Sequence, residues 1–252
     1  DLAYDNGLLS EYQLKYGGGT SPQSRWGAPA IKNITLPGYG NHDCYDVPRD
    51  TGVTKQGCDD AVSYFGPDSA FGTDIPGTPG SYRTVLGDWL VVHLNSAGQV
   101  GTGMATAEEM TQQHTALQNI LQSDGHRCEM VIWHHPRYSS GLHGNADFVD
   151  PWYETAYANG VDVILNGHDH EYERFAPQDG NALAVADGIR EFVVGTGGIA
   201  LRQFHTVQPN SQVRIVDKGV LSMMLRDTGY SWEFVDDTTA AVDDAGSASC
   251  HP

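Results

Sequence analysis

Lysine is scarce in this chain. Its 252 residues include four lysines, and Lys plus Arg total 14 against 32 Asp plus Glu, a formal net charge of −18. A surface of that sign repels nucleic acid and anionic membranes, so neither is expected as a partner. No apolar run approaches the roughly 18 residues that a membrane span needs. None of the four cysteines (Cys44, Cys58, Cys128, Cys250) are spaced CxxC, which argues against a zinc knuckle or a dithiol redox motif. There is no internal repeat, and no linker strong enough to split the chain. No signal peptide opens it. Asp1-Leu2-Ala3-Tyr4-Asp5-Asn6-Gly7 lacks a methionine and reads as the middle of a domain.

What is present fits one large domain with its own core. An even cysteine count is compatible with two disulfides in an exported protein, and the pairing expected is Cys44 with Cys58 and Cys128 with Cys250. Four free thiols are the alternative.

Turn signals and periodicity outline the elements. Residues 8–33 read as loop, including Gly17-Gly18-Gly19 and Trp26-Gly27, with one short helix near 8–15. Ile34-Thr35-Leu36 reads as a short strand, and residues 45–80 as loop. Runs at 82–85 and 89–94 form a hairpin around Gly87-Asp88. Thr106 and Glu109 form a capping box that opens a helix over 106–123, with Met110, His114, Leu117 and Leu121 at helical period. Residues 151–159 form a second helix, with Pro151 at its start and Gly160 just past its end. Strands are expected at 130–133, 161–165 and 191–194. Runs at 213–216, 221–225 and 230–234 look like a closing antiparallel set, and the tail after Asp236 reads as loose unless Cys250 is pinned. This alternation indicates an α/β fold with mixed sheets.

Three turns then stand out: Asn41-His42-Asp43, His134-His135-Pro136 and Asn166-Gly167-His168-Asp169-His170. Each follows an apolar run and is broken off by Gly or Pro. In α/β sheets functional residues gather at the carboxyl ends of strands. One such histidine is more often structural than not. Three such ends together are hard to explain by core packing, because each buried imidazole needs a hydrogen-bond partner. Imidazole suits several transition metals, so these residues do not name one. Cations would also supply the positive charge that a −18 protein lacks for binding phosphate.

These motifs resemble those of the calcineurin-like metallophosphoesterases, in particular the purple-acid-phosphatase-like branch of secreted bacterial type. The residues that carry the resemblance are Asp1-Leu2-Ala3-Tyr4, Gly40-Asn41-His42-Asp43, His134-His135-Pro136 with His143, and Gly167-His168-Asp169-His170-Glu171-Tyr172-Glu173-Arg174. It covers essentially the whole chain. It implies a four-layer α/β/β/α sandwich of two mixed sheets, and two metal ions, Fe paired with Fe, Zn or Mn. Asp1 would bridge the metals. Tyr4 and His170 would join it on the first, and Asn41, His134 and His168 on the second. His42 and His143 would contact the phosphate and assist the leaving group. His135 departs from the ligand role, and Asp169 is not expected to ligate. Glu173-Arg174 reads as a structural ion pair or a support on the phosphate side, and Asp59-Asp60, Asp236-Asp237 and Asp243-Asp244 as solvated surface.

The resemblance also implies a reaction: hydrolysis of phosphate monoesters by a metal-bound hydroxide, with histidine-assisted protonation of the leaving group. A phosphodiesterase or nucleotidase on the same scaffold is one alternative. A non-catalytic phosphate-binding remnant is another. The family carries an earlier strand with an aspartate ligand, and a glycine directly before the bridging aspartate, and this sequence has neither. Residues 1–252 are therefore expected to be a single catalytic domain truncated at its N-terminus, whose site a separate N-terminal fragment would complete. Small phosphorylated substrates and phosphate are the expected ligands. The expected location is extracellular or periplasmic.

Overall fold

The computed structural model of the chain describes residues 1–16, 29–48, 52–76, 78–99 and 101–251. Gly17-Gly18-Gly19 and Trp26-Gly27, expected to be loop, lie outside the described residues. The chain divides into two compact units, residues 1–83 with 93–113, and residues 84–92 with 114–252.

The first unit is held by aromatic packing and one disulfide rather than by a large sheet. Its helices are α1 (Leu9–Tyr16), α2 (Pro29–Lys32) and α3 (Asp59–Phe65). Short strands β1 (Val47–Pro48) and β2 (Thr54–Lys55) pair antiparallel, and β3 (Thr73–Asp74) pairs with the start of β4 (Tyr82–Leu86). Tyr12 and Tyr16 sit one turn apart on α1, so both rings reach α3, with Tyr12 stacked on Tyr64 at 5.5 Å and Tyr16 edge-on to Phe65 at 5.3 Å. The Cys44–Cys58 disulfide lies in this core beside Ala61 and Ala97. Ile34-Thr35-Leu36 is not a strand. It follows α2 as a turn, Thr35 Oγ1 donates to the carbonyl of Ile31, and Ile34 is 81% exposed. An apolar run that buries no face has nothing to hold it in a sheet.

The second unit is built on a mixed sheet. Its strands are β5 (Trp89–His93), β6 (Cys128–Ile132), β7 (Val163–Asn166), β8 (Tyr172–Phe175), β9 (Arg190–Val194) and β10 (Ser211–Ile215), in the order β10-β8-β9-β7-β6-β5 and then β4. The pairs β6·β7 and β7·β9 are parallel, which aligns the carboxyl ends of β6 and β7 side by side. Between β6 and β7 the chain passes through α5 (Asp150–Ala158), as a parallel pair requires. Pro151 stands in the first turn of α5, and Gly160, at φ 82°, follows its end. Helix α4 (Ala107–Ser123) opens on the expected capping box: Thr106 Oγ1 accepts from the Glu109 amide at 3.3 Å while the Glu109 carboxylate accepts from the Thr106 amide at 2.7 Å. Thr106→Ala is expected to cost about 1 kcal/mol, read as a shift in the urea midpoint.

A second sheet, antiparallel throughout, contains β11 (Gly219–Arg226), β12 (Gly229–Asp236) and β13 (Val242–Ser249). Four expectations change here. Residues 211–215 do not join this closing set but pair with β8 in the mixed sheet. The tail is not loose: it forms β13 and is pinned by the Cys128–Cys250 disulfide. The acidic pair Asp243-Asp244 is not wholly solvated either. Asp244 is 9% exposed and accepts from Arg174 Nε at 2.7 Å, Tyr172 Oη at 2.7 Å and Trp232 Nε1 at 3.1 Å. The partner of Arg174 is thus Asp244, 70 residues away, and not its neighbour Glu173. Glu173 instead accepts from the Ser140 amide at 2.8 Å and from the Ser211 hydroxyl.

Burial acts to raise the pKa of Asp244, but the hydrogen bonds from Arg174 and Tyr172 outweigh it, so the net shift is downward. A depressed carboxylate pKa adds stability that is fully present above the unfolded value near 3.9 and lost as pH falls through the folded value. Asp244→Ala leaves a buried guanidinium without its counter-charge. It is expected to lower stability by about 3 kcal/mol at neutral pH in urea unfolding, with a difference from the parent that shrinks as pH falls through the depressed folded value.

Candidate functional site

In the first unit one carboxylate organises the residues expected to act. Asp43 is fully buried and accepts from the amides of Leu2 (2.9 Å), Ala3 (3.1 Å) and Gly40 (2.9 Å) and from Tyr12 Oη (2.6 Å). It ties the 1–4 segment to the Gly40–Cys44 turn. Asp1 Oδ1 in turn accepts from the His42 amide at 2.9 Å, and Tyr4 Oη lies 2.6 Å from Asp1 Oδ2. Two oxygens at that separation can bind one cation. The His42 ring packs on Tyr4 at 4.2 Å, with Nδ1 2.5 Å from the Asp5 carbonyl. Asn41 is buried, and its amide donates to Tyr45 Oη at 2.6 Å. The ammonium of Lys55, itself buried, donates to the carbonyls of Asn6, Asp43 and Tyr45 and so holds the same turn from beneath. No strand leads into this turn. The expectation of three strand ends holds for β6 and β7 but not here.

In the second unit the parallel strands β6 and β7 deliver their histidines to one place. His134 and His135 follow β6, and His168 and His170 follow β7. His134 Nε2 and His168 Nδ1 are 3.2 Å apart. The ring of His143 lies 4.3 Å from that of His168 and 6.4 Å from that of His170. Nitrogens of His134, His135 and His168 all lie within 4.8 Å of one another. His135, set outside the ligand set by the resemblance, therefore stands within reach of it. Burial, then the neighbouring imidazoles His135 and His143, pushes His168 down to about 2. His135 is pushed down to about 3, by burial first and His143 among the charges. Burial likewise lowers His170. Histidine nitrogens gathered this closely are a donor set that a transition metal takes.

The turn after β7 is shaped by a histidine rather than by its glycine. Its left-handed residue is His168, at φ 67°, and not Gly167. A non-glycine residue there is strained and is held by its surroundings. A Cβ on Gly167 would stand 3.4 Å from His134 Nδ1, an ordinary contact. Asp169 turns away from the histidines, as expected. It is fully buried, takes the Ser139 hydroxyl and accepts from the His143 amide at 2.9 Å, so it fixes the loop that carries His143. That loop can press on Asp169 because residue 141 is glycine; a Cβ there would meet the Asp169 carboxylate at 2.4 Å.

The loop after β9 holds residues that sequence reasoning passed over. The Ala200 carbonyl lies 3.0 Å from His170 Nδ1, which makes that nitrogen the donor and Nε2 the ring's acceptor nitrogen. The Arg202 amide donates to the His170 carbonyl at 3.1 Å, and its guanidinium donates to His143 Nε2. The Gly195-Thr196-Gly197-Gly198 run was the available signal, as a glycine-rich strand end. The Cys128, Asp162 and Cys250 grouping offers no metal site, since both sulfurs are spent in the disulfide.

No curated protein matches the chain by sequence. Among solved structures, it is similar to the purple acid phosphatase PPD1 from yellow lupin (Lupinus luteus) seeds, at 19% identity and a TM-score of 0.62, over 84% of this chain and 40% of that one. It is also similar to GAP50 of Plasmodium, the anchor in the inner membrane complex, at 14% identity and a TM-score of 0.55, over 68% of this chain and 53% of that one. The chain thus spans about two-fifths and about half of these two proteins. At such identities the likeness is one of fold. The family model for calcineurin-like phosphoesterases matches residues 12–172, a span that takes in the turns at Asn41, His134 and His168. With that match over more than half of its length, the chain belongs to the calcineurin-like phosphoesterase family.

Proposed function

We propose that this chain hydrolyses phosphate monoesters with the help of two metal ions. The observation that carries the reading is the buried imidazole cluster at the ends of β6 and β7, with His134 and His168 nitrogens 3.2 Å apart and the His143 ring beside them. In the second unit His134, His168 and His170 would hold metal. In the first, Asp1, Tyr4 and Asn41 offer oxygen donors. Cations in such a site polarise phosphoryl oxygens and make a bound water acidic enough to react at neutral pH.

The side chains do the rest. His143 stands exposed next to the ligand cluster, where a departing alkoxide can take a proton from it. Ala200 and Asp169 hold His170 and His143 in place, so little reorganisation is needed when substrate arrives. The two disulfides support folding in an oxidising compartment, and so an extracellular or periplasmic location. No helix among the described residues is long and apolar enough to cross a membrane.

The test is elemental analysis of the purified chain, followed by assay on a nitrophenyl phosphate monoester and on the corresponding diester. Two metals per chain with preferred monoester turnover is the expected result. Preferred diester turnover would move the reading to a phosphodiesterase. Metal-loaded protein that binds phosphate but turns over neither ester would make it a binding protein. A colourless, fully active enzyme would rule out Fe(III) on Tyr4.

A further inference from the structure

We propose that Arg202 is the residue that grips the phosphoryl group and favours a monoester over a diester, an inference that rests on the site proposed above. Arg202 is placed by backbone rather than by chance. Its amide donates to the His170 carbonyl at 3.1 Å, the Ala200 carbonyl two residues earlier meets His170 Nδ1 at 3.0 Å, and the His205 amide donates to the Ser140 carbonyl at 2.8 Å. The 200–205 segment is therefore strapped along both the His170 turn and the loop that leads to His143. Its guanidinium lands on His143 Nε2, the atom facing the reacting group in the proposed reaction.

Charge makes this position informative. The chain carries −18 overall; of the second unit's guanidiniums Arg137 meets Asp147 and Asp150, Arg174 meets Asp244, and Arg190, Arg214 and Arg226 donate to neutral oxygens away from the histidine cluster. Arg202 instead donates to an imidazole, a neutral acceptor, which a charged phosphate outcompetes for a guanidinium. A guanidinium presents a planar fork of N–H donors that matches two phosphate oxygens at once. A monoester dianion offers three terminal oxygens and two charges, whereas a diester offers two oxygens and one charge. The fork therefore gains more from a monoester. When phosphate takes the guanidinium, His143 Nε2 is released from it and becomes free to carry the proton for the leaving group. Arg202 would thus act at two points, by binding the anion and by freeing the histidine on its arrival.

The experiment uses the full chain with its metal content measured, and inorganic phosphate as the probe. Arg202→Ala is expected to weaken phosphate binding by calorimetry about tenfold to a hundredfold, with metal per chain unchanged. KM for the nitrophenyl monoester should rise by a similar factor while the diester loses less. Arg202→Lys should fall between the two proteins, because it restores charge without the fork. Unchanged phosphate affinity in Arg202→Ala overturns the proposal. So does loss of metal in that variant, which would make Arg202 a support for His170. A parent chain that binds phosphate yet turns over neither ester would sink the hydrolytic reading and the ester preference with it, while loss of affinity in Arg202→Ala would still show that Arg202 grips the anion.

Discussion

His168→Asn is expected to abolish monoester hydrolysis, by at least about a hundredfold, and to remove one metal per chain while the protein stays folded. Asparagine is the chosen replacement because residue 168 sits at φ 67°, where Asn is tolerated far better than most side chains. The backbone of the turn is thereby preserved, and only the imidazole is lost. His168 contacts His134 at 3.2 Å, and its ring stacks near those of His135 and His143. Removing it should open the cluster rather than collapse the fold. His170→Ala is expected to cost activity on a similar scale but to empty a different site, since its ring is anchored separately on the Ala200 carbonyl. The measurement is metal stoichiometry for each variant, alone and combined. Retention of both metals in His168→Asn would remove that residue from the ligand set. Loss of the same single metal in both variants would mean that the two histidines share one ion.

The second large effect concerns stability. Serine in place of Cys128 and Cys250 is expected to cost between about 4 and 5 kcal/mol, because the bridge closes a span of 122 residues and the stabilisation grows with the logarithm of loop length. For a chain of this size that corresponds to a fall of roughly 10–20 °C in Tm. The Cys44–Cys58 bridge closes only 14 residues, so its removal should cost less, about 3 kcal/mol. The long bridge also ties β13 to β6, and β13 brings Asp244 to Arg174. The double serine variant should therefore expose the β13 amides to hydrogen exchange before the rest of the second unit. A fall in Tm no larger than that of the short bridge would show that β13 holds its place by strand pairing and the Asp244 contacts alone.

Local chemistry was legible from the sequence wherever it is encoded in neighbouring residues. The capping box at Thr106 and Glu109 forms as read, because both partners lie within one helical turn. The runs expected at 130–133 and 161–165 become β6 (Cys128–Ile132) and β7 (Val163–Asn166), and the histidines that follow converge because parallel pairing aligns those two strand ends. Both disulfides pair as expected. The glycine in the Gly-His-Asp-His turn was legible too, although its use was not. The left-handed φ of that turn falls on His168 and not on its glycine, which no residue pattern announces.

What the tertiary structure alone decided is a set of contacts between residues far apart in the chain. Asp43 binds the amides of Leu2 and Ala3 some 40 residues away, Asp244 meets Arg174 across 70, and Arg202 reaches His143 across 59. None leaves a periodicity or a turn signature. Asp244 sits in a run that reads as solvated, and Arg202 follows a glycine-rich stretch with no motif of its own. The tail from 242 to 249 is poor in β-formers, yet it becomes a strand because the edge of β12 supplies hydrogen bonds and Cys250 holds its end. The sequence by itself determined the family, the histidines and the ends of the two strands that deliver them, since these are written in contiguous residues. The contacts of Asp43, Asp244 and Arg202 were decided by the fold, because their partners are neighbours only in space.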